Sequence, residues 1–157
     1  MNVRVVVADE RHATFFDASK YGAPLATRGT VENPASGLKD SDLETDRAGR
    51  RFGGTNGVRH GVGVQAGHHH GVDGERSTER HELSLFAKEV AQRIDKDRIN
   101  HEFDRLIIVA GPKMLGLLRQ ELPTPCKGVL AGEIAKDLAQ HGEDAIMKAL
   151  PQDAFFQ

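Results

Sequence analysis

The residues best equipped for chemistry lie between Arg47 and His70, a window with four arginines, four histidines and no Asp or Glu. It carries a formal +4, and the rest of the 157-residue chain carries −6, for a total of −2. Guanidinium forks bind phosphate in pairs of parallel hydrogen bonds, and a glycine lets backbone approach closely. Arg47, Gly49, Arg50, Arg51, Arg59 and His60 are therefore the candidate RNA- or anion-binding residues. The opposing reading has Asp42, Glu44 and Asp46 pairing with these arginines to order the segment, and the sequence leaves both open.

Other chemistries are poorly served. His68, His69 and His70 offer imidazoles, but neighbouring side chains diverge, and a structural zinc site wants cysteines at set spacing where the chain has Cys126 alone. His68 and His70 are adventitious ligands at most, and no metal or other cofactor is expected. Asp9 and Glu10 follow a strand-like run, where a two-metal nuclease would place a carboxylate. The apolar run Leu106 to Val109 ends in Ala110-Gly111-Pro112, without the second acid such a site requires. The glycine-rich stretch from Gly53 to Gly67 lacks the Gly-Lys-Ser/Thr ending of a phosphate loop. Cys126 has no sequence relation to a histidine that marks a nucleophile, so it reads as an incidental thiol.

These residues must be positioned by the elements around them. Val3 and Val5 to Val7 form a β-branched run, His12 to Phe16 a second and Leu25 to Val31 a third, joined closely enough for an antiparallel meander. From Asn33 to Arg76 the chain holds ten of its 17 glycines and few large apolar residues, which reads as one long loop at about 33–76. Leu83, Phe86, Val90 and Ile94 then mark one face of a helix, with Ser77 or Thr78 placed to cap it. Leu106 to Val109 predicts a buried strand. Gly111-Pro112 opens a helix bearing Met114, Leu115, Leu118 and Leu122, and Val129 to Ala131 predicts a further strand. A last helical region begins at Ile134 and Leu138, breaks at His141-Gly142 and resumes through Ile146 and Leu150 to Pro151. The prediction is one α/β domain over 1–157, with a mixed five-stranded sheet in the order β-β-β-long loop-α-β-α-β-α, the layout of ribonuclease-H-like folds.

Several segments together resemble the bacterial host-attachment protein family, whose members are described as required for attachment to host cells. They are Val7-Ala8-Asp9-Glu10-Arg11-His12-Ala13, Asn33-Pro34, Leu38 to Arg50 with its Asp46-Arg47-Ala48-Gly49-Arg50, Phe86-Ala87, Phe103-Asp104-Arg105-Leu106, Pro112 to Arg119 with its Leu115-Gly116-Leu117-Leu118-Arg119, and Lys136-Asp137-Leu138. That family is similar in turn to the central domain of archaeal and eukaryotic peptide-release factors, where the long loop carries a Gly-Gly-Gln tripeptide into the ribosome and helps water cleave peptidyl-tRNA. Here Thr55 follows Gly53-Gly54, and Gln65 is the loop's glutamine.

Charge segregation favours a binding module over an enzyme, with the basic loop meeting the ribosome, tRNA or rRNA, or another anionic partner. A release-factor-like hydrolase or ribosome-rescue factor using Gln65 is the alternative. A DNA partner is not expected, and no run of 18 apolar residues offers a membrane span. Met1 to Ala8 is too short for an export signal, so the expected location is cytoplasmic and the attachment role indirect.

Overall fold

The computed structural model describes residues 1–36 and 61–156, with backbone alone for 61–77. Residues Met1–Glu32 and Ser84–Gln157 form one compact unit and Asn33–Leu83 a second. The first unit holds five strands: β1 (Val3–Ala8), β2 (His12–Ala18), β3 (Ala26–Glu32), β4 (Arg105–Ala110) and β5 (Leu130–Ala135). They form a single sheet in the order β3-β2-β1-β4-β5. The three N-terminal strands pair antiparallel, while β1, β4 and β5 run parallel, which gives the mixed five-stranded sheet expected of the sequence.

The apolar runs become the centre of this sheet because both of its faces are covered there. Every residue of β1 is buried, as are Leu106 to Ala110 of β4. On one face Val3, Val5, Val7, Ile107 and Val109 pack with Ile146 of helix α4 (Glu143–Ala149), with Leu150 at its C-cap, and with Ala154 and Phe155 of a closing 3-10 turn. The opposite face carries Arg4, Val6, Phe15, Leu106 and Ile108. Helix α1 (Gly61–Ile99) brings Arg93 and Asp97 to it, with Phe86, Val90 and Ile94 buried as the stripe predicts.

Three sequence expectations need correction. The helix begins at Gly61, so residues 61–76 are helical and not loop, and Ser77 and Thr78 are interior rather than caps. The glycines there lower helix propensity, and the helix is continuous through them from its packed end. Ile134 lies in β5, where it pairs with Val109, and Leu138 falls in the irregular segment that follows. Helix α2 (Pro112–Glu121) carries buried Met114, Leu115 and Leu118 as expected, and a short helix α3 (Thr124–Gly128) intervenes before β5.

Helix α1 ends in a Schellman arrangement. The amide of His101 donates to the Arg98 carbonyl and that of Glu102 to the Asp97 carbonyl, both at 3.0 Å, while His101 itself sits at φ 57°.

Candidate functional site

Arg47, Gly49, Arg50, Arg51, Arg59 and His60 lie outside the described residues. Gln65, His68, His69 and His70 stand on the helical backbone of α1 within the second unit. Among the described residues no group of three metal-ligating side chains is assembled.

Three of the segments that carry the family resemblance converge at one edge of the first unit, where the parallel strands end. Asp9 and Glu10 follow β1, Gly111 to Lys113 follow β4, and Lys136 and Asp137 follow β5. An ideal Cβ on Gly111 would lie 3.9 Å from that of Asp137, and Lys113 reaches Glu10 at 3.7 Å across open surface. Asp9 is committed to the turn itself: its Oδ1 accepts from the amides of Arg11 and His12, each at 2.8 Å, closing the β1–β2 connection. This accounts for Asp9 as a turn residue without any metal.

The opposite, amino-terminal half of the same strands holds the strongest electrostatic feature. Arg4 is the second residue of β1, directly across from Asp17 of β2, and is 1% exposed. Its Nε donates to Asp17 Oδ1 and its Nη1 to Asp97 Oδ2, both at 2.5 Å, and it stacks over Phe103 at 5.1 Å. Two outer arginines complete the group. Arg28 Nε donates to Asp17 Oδ2 at 2.7 Å, and Arg93 Nε meets Asp97 Oδ2 at 3.1 Å with its head over the Phe15 ring at 5.1 Å.

Burial alone would raise the carboxyls of Asp17 and Asp97. Hydrogen bonds outweigh it, from Arg4 and Arg28 at Asp17 and from Glu102, Arg4 and Arg93 at Asp97, and both carboxyls are held below the ordinary aspartate value. The exposed Glu102 is pushed up by its bond to Asp97. No buried polar side-chain atom among the described residues lacks a partner.

The sequence matches the family described as "Protein required for attachment to host cells" over residues 4–150. The chain belongs to that family. From Arg4 on, the host-attachment match covers the five strands of the sheet and the whole Arg4 network, so both the edge and the buried cluster belong to the shared domain. A similar protein, the uncharacterized protein RP470 of Rickettsia prowazekii (strain Madrid E), is 42% identical over 66 residues, 41% of this host-attachment chain and 44% of the relative. The chain thus matches less than half the length of that relative.

Arg4, Asp17, Arg28, Arg93 and Asp97 are not among the candidates drawn from the sequence, although it carries a signal for them. Arg4 interrupts a run of valines in a strand buried on both faces. Asp97 falls three residues after Ile94, on the apolar stripe of α1. A charge inside each of two apolar patterns marks a buried pair.

Proposed function

We propose that this host-attachment-family domain is a binding module that contacts RNA, as ribosome or tRNA, through the arginines between Arg47 and His70. The observation that carries the reading is charge segregation: the window is +4 on a body of −6. Five guanidiniums of the body support it, since Arg4, Arg28, Arg93, Arg98 and Arg119 each have a neutralising carboxylate in Asp17, Asp95, Asp97 or Glu133, whatever hydrogen-bonding capacity their outer groups keep. A polyanion is drawn by counterion release, which requires cations held together without interleaved acids, and the 47–70 window is where the chain provides them. Attachment to host cells is on this reading a downstream effect of that contact.

Co-sedimentation with ribosomes and filter binding of tRNA over a salt series test the proposal. Binding should weaken steeply as salt rises, and replacing Arg47, Arg50, Arg51 and Arg59 with Gln should reduce the log–log slope by about 3 for single-stranded contacts. Salt-insensitive or absent binding rejects it. The release-factor-like alternative is favoured by the shared element order, and it demands turnover of peptidyl-tRNA that Gln65→Ala reduces.

A further inference from the structure

Among the described residues, the buried network uses only one edge of each outer arginine strongly. Both Arg28 and Arg93 present their Nε edge to an aspartate, at 2.7 Å and 3.1 Å. Beyond that, the bond recorded among the described residues from either terminal Nη pair is a long 3.5 Å one, from Arg93 Nη2 to the Arg28 carbonyl. The side chains are 54% and 35% exposed, so both forks reach solvent.

Their placement is built into the backbone. Phe15 of β2 pairs with Gly29 and Phe16 with Thr27, so Arg28 is the extra residue of a β-bulge in the edge strand β3. Bulges re-aim a side chain, and this one sends Arg28 to the same sheet face as Arg4. Gly29 beside it has φ +143°, and the Arg93 Nη2 lies 3.4 Å from where a Cβ on Gly29 would stand. A side chain there would strain the backbone and crowd the Arg93 head. Underneath, Arg4 fixes Asp17 and Asp97 at the two ends of one guanidinium, and these two carboxylates hold Arg28 and Arg93 respectively.

We propose that the terminal Nη groups of Arg28 and Arg93 form a binding site for a phosphate group, supported from below by the buried Arg4–Asp17–Asp97 network. Two forks aimed from different elements match several oxygens of a tetrahedral ion better than the two in-plane oxygens of a carboxylate. Asp17 and Asp97 offset two of the three guanidinium charges, so the ion is held chiefly by directed hydrogen bonds and not by a strong net field. Affinity is accordingly modest and its salt dependence shallow, in contrast to the loop reading, on which this site does not depend.

Titration of the full chain with inorganic phosphate, at constant ionic strength and followed by the arginine side-chain N–H resonances, tests the site. Saturable shifts of the Arg28 and Arg93 groups are expected, with a Kd on the order of 1–10 mM. Arg28→Gln, at the more exposed position, should weaken binding at least about tenfold. Arg93→Lys should weaken it too, and a variant with Arg47, Arg50, Arg51 and Arg59 all changed to Gln should bind phosphate as before. Sodium acetate should give no saturable shift. Non-saturating shifts spread over all arginines, or saturable binding unaltered by Arg28→Gln, overturn the proposal. A thermal melt of each variant confirms that it is folded, and an unfolded Arg28→Gln leaves Arg93→Lys to decide.

Discussion

Arg4 is the side chain on which most depends. Removing it leaves Asp17 and Asp97, 6% and 4% exposed, without their common cation. Arg4→Met should therefore cost about 3–5 kcal/mol in urea unfolding, the penalty for stranding a buried charge. Changing Arg4, Asp17 and Asp97 together to apolar residues should cost far less than the sum of the single changes, because a network replaced whole strands nothing. The same group sets the acid limit. Folding holds both aspartates below their ordinary value of about 3.9, so their contribution is complete above that pH and is lost progressively as pH falls below it and through their lowered folded values. The raised carboxyl of Glu102 acts in the opposite sense, favouring the fold at low pH and fading as pH rises, but it is exposed and weak. Urea midpoints taken between pH 7 and pH 3 should fall toward acid, and Asp17→Asn should flatten that profile.

Helix α1 shows what local sequence reveals and what it conceals. Its apolar stripe at Phe86, Val90 and Ile94 was legible because helix period and burial coincide. Its start was not, because ten glycines between residues 33 and 76 argue for loop while the helix propagates back to Gly61 from a packed end. Strands with apolar runs were found to within a few residues. Ile134 reads as helical in the sequence because Val129 to Ala131 is a short signal and the alternation in Leu130–Ala135 is broken by Gly132. The buried arginine network escaped because its members are far apart in sequence and come together only through register and the β3 bulge. At the far end of α1, His101 adopts φ 57° where glycine is usual, at a cost of about 1 kcal/mol. His101→Gly should be neutral or should stabilise by up to about 1 kcal/mol in a thermal melt. At β5, Gly132→Ala would place a Cβ 3.1 Å from Pro151 Cγ, so a lowered melting temperature is expected there.

Across the whole chain, charge and order of elements work together. The segment between β3 and the packed part of α1 holds the basic window, and no helix among the described residues is long and apolar enough to cross a membrane. If that window is the contact for RNA, the variant with all four arginines changed to Gln should lose ribosome co-sedimentation. The parallel pairing of β1 with β4 has a separate consequence. Val3 aligns with Arg105 and Ala8 with Ala110, so the first strand meets its second neighbour only after about a hundred further residues have been made. At roughly 5–20 residues per second, the nascent hairpin waits several seconds at the ribosome with one flank of a valine-rich strand unpaired. Chaperone capture during synthesis, and aggregation of chains truncated before Arg105, are the expected signs of that delay.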